Sequence, residues 1–150
     1  MRIRIIQGLL SGLFILLIVY ASLKSDFKEI TIVTPNGQAN IFVKLAHTPQ
    51  DFSRGLMFIN YLPKRHGMIF LHSSPSYDSF WMHNTFIPLD ILFIDEYGEI
   101  FQIYNAAKPR DETLLPSKQP CKYIIELRAG EASALGITVH SKLILTNYID

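Results

Sequence analysis

Two carboxylates set inside apolar runs are the side chains of this chain best placed to do chemistry. Asp90 lies within Leu89-Asp90-Ile91-Leu92-Phe93-Ile94, and Glu126 within Tyr123-Ile124-Ile125-Glu126-Leu127. A buried carboxylate costs free energy unless it is hydrogen-bonded or paired, so each of these demands a partner. A pair of carboxyls whose surroundings drive their pKa values apart can serve as acid and base, and in glycosidases they stand roughly 5–9.5 Å apart. The same two groups could instead hold a sugar or a cation. A plainer reading is an ion-pair network centred on Arg54 that orients strands and catalyses nothing.

A second cluster precedes Asp90 in Phe80-Trp81-Met82-His83-Asn84-Thr85, which contains the only tryptophan. His83-Asn84-Thr85 falls where a strand pattern meets a turn, a natural position for ligand contact. Side chains of Asn84 or Thr85 closing that turn on the backbone would explain the same residues. Trp81 could stack on a sugar ring, although a sole tryptophan in a β domain is more often core. Arg54, Asn84, Asp90 and Glu126 are therefore the candidate ligand-binding residues, and no catalytic residue is assigned.

Other chemistry is poorly represented. The five histidines show no paired metal spacing, and Met57, Met68 and Met82 read as core fillers rather than copper ligands. No phosphate loop, dinucleotide fingerprint or nucleophile elbow occurs, so neither a metal nor a cofactor is expected. Cys121 is the single cysteine and cannot form an internal disulfide; it reads as a partly buried small residue beside Pro120 rather than a nucleophile.

The elements that must position these groups are mostly short strands. Ile30–Val33 and Ile41–Leu45 flank Asn36-Gly37, which predicts an opening hairpin. Thr48-Pro49-Gln50-Asp51 carries a hydroxyl cap, a proline at the first helical position and an acid in the first turn, so a short helix follows. Strands are predicted at 68–71, 80–83, 89–94, 100–104, 123–127 and 143–146, with an irregular loop over 106–120. Gly130 to Gly136 fits a two-turn helix. In 89–94, alternation puts Leu89, Ile91 and Phe93 on one face and Asp90, Leu92 and Ile94 on the other. Tyr123, Ile125 and Leu127 likewise oppose Ile124 and Glu126. The expected fold is mainly β, a sandwich or barrel-like domain of short strands with two short helices.

Ahead of this domain, Arg2 and Arg4 precede nineteen uncharged residues, Ile5 to Leu23. A cationic start, an apolar run and Val19-Tyr20-Ala21 fit a signal peptide cleaved after Ala21. An uncleaved anchor in the inner membrane is the rival, since nineteen residues just span roughly 30 Å of hydrocarbon. Both place the domain outside the cytoplasm, in the periplasm or tethered to the membrane. The expected division is 1–21 leader or anchor, 22–29 linker and 30–150 a single domain. Without residues 1–21, 14 − 2 = 12 Lys and Arg face 13 Asp and Glu, a net charge of −1. Such a balance argues against nucleic acid as a partner.

Several ordered blocks carry a resemblance. Arg54-Gly55-Leu56-Met57, Gly67-Met68-Ile69-Phe70, Phe80-Trp81-Met82 with Asn84-Thr85, Ile87-Pro88-Leu89-Asp90-Ile91 and Tyr123-Ile124-Ile125-Glu126-Leu127 with Ala129-Gly130 and Gly136 resemble the bacterial and archaeal domain of unknown function 192. The resemblance, from about Ile41 to Leu145, implies a small β-sandwich-like domain, often behind a signal sequence, and brings no established activity. The chain departs from the family pattern at Val139-His140-Ser141-Lys142, where a Gly-Asp turn is usual, and at His83, where a lysine is usual. The functional expectation is an exported accessory domain that binds a small polar or saccharide-like ligand, or an envelope protein. An envelope carbohydrate hydrolase using Asp90 and Glu126, and a purely structural interaction module, are the alternatives.

Overall fold

A computed structural model describes residues 27–144. The apolar run of the N-terminus, with its leader and anchor readings, lies outside those residues, as do residues 145 and 146 of the expected closing strand. Among the described residues, no helix is long and apolar enough to cross a membrane.

Strands β1 (Lys28–Thr34) and β2 (Gly37–Ala46) form the expected hairpin in antiparallel register, Thr34 facing Gly37. The turn residues are Pro35 and Asn36, and Gly37 opens β2 at φ 131°, a conformation that suits glycine. Because β1 begins at Lys28, the last two residues of the expected linker are strand.

Helix α1 (Pro49–Arg54) starts on a capping box. Asp51 N donates to Thr48 Oγ1 at 3.1 Å, and Thr48 N donates to Asp51 Oδ2 at 2.9 Å. Gly55, at φ 48°, ends it. Phe52 is only half-buried, and Leu56 is buried just beyond the helix end.

The remaining elements are β3 (His66–Ser76), β4 (Ser79–Phe80), β5 (Leu89–Ile94), β6 (Ile100–Ala107), β7 (Leu115–Pro116), β8 (Cys121–Arg128), α2 (Glu131–Ala134) and β9 (Lys142–Ile144). Seven strands make one sheet in the order β6-β5-β8-β3-β2-β1-β9, antiparallel except for β2 against β3. The chain between those two parallel strands contains α1. The sheet curls until its two ends meet at one corner: Ile100 N donates to Ser141 O, Leu143 N to Gly98 O, and Glu99 bridges to Lys142. Among the described residues, the fold is thus a mainly β half-barrel with two short helices.

Alternation divides the core into two. One cluster, inside the curl, collects Ile30, Ile32, Ile41, Val43, Ile69, Leu92, Ile94, Ile125 and Leu127. The other face of β3, β5 and β8 carries Phe70, Leu89, Ile91, Phe93 and Ile124, covered by Leu56, Leu62 and Met82. The faces predicted for 89–94 and 123–127 hold.

Three expected elements change: the two-turn helix expected from Gly130 to Gly136 is only the single turn Glu131–Ala134, and the other two changes are linked. The strand predicted over 80–83 is only Ser79–Phe80, paired with Leu115–Pro116 inside the stretch expected to be an irregular loop. After Phe80 the chain turns instead: Thr85 N donates to Met82 O, and Asn84 takes φ 51°. Met82 is buried beneath that turn, so its neighbour Trp81 points outward and is 43% exposed, not core.

Candidate functional site

Asp90 sits on the face of β5 that lines the inner core, 1% exposed. Its needs are met by backbone. Ala106 N donates to Oδ1 at 2.9 Å and Ala132 N to Oδ2 at 3.0 Å. Ala106 belongs to an irregular stretch of β6, where the register slips by one residue against β5 and φ reaches 50°. Ala132 is in the first turn of α2. A single carboxylate therefore satisfies an amide freed by a bulge and one freed by a helix start. Arg54 is not its partner.

Glu126 is 5% exposed and lies on the other face, because β8 pairs Leu127 with Asp90 but Glu126 with Ile91. Leu56 N gives it one hydrogen bond, and its Oε2 has no partner. Burial pushes its carboxyl up to about 7, the Leu56 amide opposing this. The two carboxylates project to opposite sides of the sheet, so they cannot flank one substrate, and the acid/base pair is excluded.

A cleft of about 400 Å3 opens over Glu126, within the range of small-ligand sites. Its lining includes Phe52, Arg54, Leu56, Asp78, Trp81 and Glu126. Gly55 lies against its floor. A β-carbon there would stand 3.1 Å from Glu126 Oε2, so the absent side chain lets the backbone after α1 approach the carboxyl. Arg54 is exposed and makes no ion pair among the described residues. Asp78 is already engaged, with Oδ2 3.0 Å from His72 Nε2 and Oδ1 accepting from Ser79 N at 2.7 Å. The acid on the floor lacks a countercharge, and the cation at the rim lacks one too.

Asn84 does not line the cleft. Its left-handed φ makes the turn, and its carbonyl accepts from Phe58 N at 2.9 Å, tying the segment after α1 to the segment after β4. Thr85 Oγ1 closes the same turn by donating to His83 O at 3.2 Å. His83 stacks on Trp81 with ring centroids 4.8 Å apart and meets Glu112 Oε1 at 2.8 Å. Of the four candidates, the cleft brings Arg54 and Glu126 together and leaves out Asp90 and Asn84. It adds Trp81, whose outward direction is signalled in sequence by the apolar residues on either side of it.

Cys121 is fully buried, its Sγ 3.3 Å from Ser76 O, and burial pushes its thiol up to about 11. A thiol so placed is not a nucleophile at neutral pH. His140 occupies the departure from the usual Gly-Asp turn. It adopts φ 74°, a conformation natural to glycine, and its Nδ1 lies 2.6 Å from Glu99 Oε1. The turn at His140 forms with a non-glycine residue at positive φ, and it lines no part of the cleft over Glu126.

The model of the DUF192 family, described as "Uncharacterized ACR", matches residues 31–145. This chain belongs to that family. Its fold is shared by a protein of unknown function from Novosphingobium aromaticivorans DSM 12444, with 36% identity and a TM-score of 0.76 over 79% of this chain and 85% of the other. A candidate transcription regulator from Sinorhizobium meliloti 1021 is 33% identical, with a TM-score of 0.76 over 79% of this chain and 92% of its own. A search of curated proteins finds no match.

Proposed function

We propose that this DUF192 chain is a non-catalytic binding module whose cleft over Glu126 takes a small polar ligand, either saccharide-like or a polar segment of an envelope protein. One observation carries the reading: Glu126, whose buried Oε2 has no hydrogen-bond partner among the described residues, lines an open cleft. An unsatisfied buried acceptor costs about 1–3 kcal/mol, and a ligand donor would recover it. Exposed Trp81 supplies an aromatic surface at the rim on which a ring or an apolar group can stack. A purely structural module would instead have its polar groups mutually paired and no cleft. With Asp90 held by two amides on the opposite face, Asp90 and Glu126 cannot act together in glycoside hydrolysis.

The apolar run of residues 5–23 supports a site outside the cytoplasm, as a periplasmic or membrane-tethered accessory domain. Regulation of transcription, the description given to the Sinorhizobium protein, finds no support in a domain of near-neutral charge. Trp81, the only tryptophan, reports directly on the cleft. Its fluorescence in the full-length chain should change on titration with a bound ligand, and the same titration of Glu126→Gln should be flat. A flat response of the native chain to sugars, amino acids and short peptides alike would overturn the reading. Recovery of an N-terminus at Ser22, or of intact Met1 in membranes, tests export; an intact chain in the cytosol refutes it.

A further inference from the structure

The charge pattern of the cleft selects within the class of small polar ligands. Glu126 Oε2 is buried at the floor without a partner. Desolvated in this way, a carboxylate gains most from a donor that also brings positive charge, because a hydroxyl fills the hydrogen bond and leaves the charge uncompensated. A bare cation does not suit the site, since the unpaired Arg54 guanidinium lines the same cleft. The ligand must therefore carry an acidic group as well. The cleft that holds these two charged points also has apolar lining from Phe52, Leu56, Met57, Phe80 and Trp81, alongside the hydroxyls of Ser53, Ser79 and Thr85.

Resting on the binding-module reading, we propose that the cleft binds a small zwitterion with an apolar body, its ammonium on Glu126 and its acidic group on Arg54. Free α-amino acids with large apolar side chains are the simplest members of this class. Asp78 is the other acid of the cleft and is held by His72 of β3, which leaves Glu126 as the open anionic point.

Binding then depends on pH through Glu126. Its carboxyl titrates at about 7 in the free protein, so a proton competes with the ammonium. Between pH 8 and 5.5 the affinity should fall about 30-fold. The charged groups around it are Arg54 from α1 and Asp78, which is paired with His72, from the β3–β4 segment; the Glu126→Gln chain serves as the control.

The experiment is calorimetric titration of the full-length chain with L-phenylalanine, N-acetyl-L-phenylalanine, L-phenylalaninamide and N-acetylglucosamine. Phenylalanine should bind, and blocking either its amine or its carboxylate should weaken binding roughly tenfold or more. Arg54→Ala, at an exposed position, should lose affinity for phenylalanine and treat the amide as the native chain does. Glu126→Gln should lose affinity and its pH dependence together. If N-acetylglucosamine binds in a Glu126-dependent manner and phenylalanine does not, the zwitterion assignment is overturned while the cleft remains a binding site. If none of the probes binds, both fail. Equal binding of phenylalanine by the native chain and by Glu126→Gln also overturns the assignment.

Discussion

Asp90 and Glu126 sit on adjacent strands at nearly the same depth, yet one is saturated and the other open. Asp90 faces the inner core and accepts two amide hydrogen bonds, from Ala106 and Ala132. Glu126 faces the outer layer, keeps one hydrogen bond from Leu56 and has an oxygen with none. Burial alone therefore does not distinguish a structural carboxylate from a ligand-facing one; the supply of donors does. Where irregular backbone frees amides next to the carboxylate, the group becomes part of the fold. Where regular strand surrounds it and the nearest loop leaves a cleft, it stays available.

The sharpest way to break this contrast is to remove each group in turn. Asp90→Ala removes the acceptor of two amides, that of buried Ala132 and that of exposed Ala106, and hydrogen bonds to a charged acceptor contribute about 1.5–3 kcal/mol each, so a loss of roughly 3–5 kcal/mol is expected by urea denaturation. A loss below 1 kcal/mol would mean that water replaces the carboxylate and that the bulge does not depend on it.

Glu126→Gln should act in the opposite direction. The folded carboxyl titrates at about 7 against 4.5 for the ordinary group, so the folded state binds the proton more tightly than the unfolded chain. Its protonated form is therefore fully compatible with folding below about pH 4.5, and stability falls as pH rises through 7, by about 3 kcal/mol in all. The glutamine variant should lack this slope and exceed the native chain in stability at pH 8, as thermal melts across pH 4.5–8 would show. An unchanged slope would assign the pH dependence to another group.

A smaller effect should come from Gly55→Ala, which adds a β-carbon 3.1 Å from Glu126 Oε2 at a residue with φ 48°. Strain of that kind costs about 1–2 kcal/mol. Combined with Glu126→Gln it should be non-additive, because the two changes meet at one contact. The least effect on stability belongs to Arg54→Ala, within about 0.5 kcal/mol, since Arg54 is exposed and unpaired. A larger loss would reveal a structural role and weaken its assignment to ligand.

Much of the frame was legible before the structure. Strand alternation placed Asp90 and Glu126 relative to their own apolar neighbours, and the hydroxyl cap at Thr48 with Pro49 and Asp51 marked α1. Their relation to one another was not legible, because it depends on the register between β5 and β8, which pairs Asp90 with Leu127. Nor were the partners of Asp90, since backbone amides 16 and 42 residues away carry no side-chain signal. Arg54 was the obvious cation by sequence, but the amides reach Asp90 from within the same layer, whereas Arg54 belongs to the opposite face. Trp81 was expected in the core for its size; burial of Met82 under the turn directs it outward instead.

The most direct test of the contrast is a carbon-13 NMR titration of the Glu126 side-chain carboxyl in the full-length chain. A midpoint of about 7 is expected, moving down when phenylalanine is added. A midpoint in the ordinary carboxylate range, near about 4, would show that the group is already solvated or paired and would contradict its role as the open floor of the cleft.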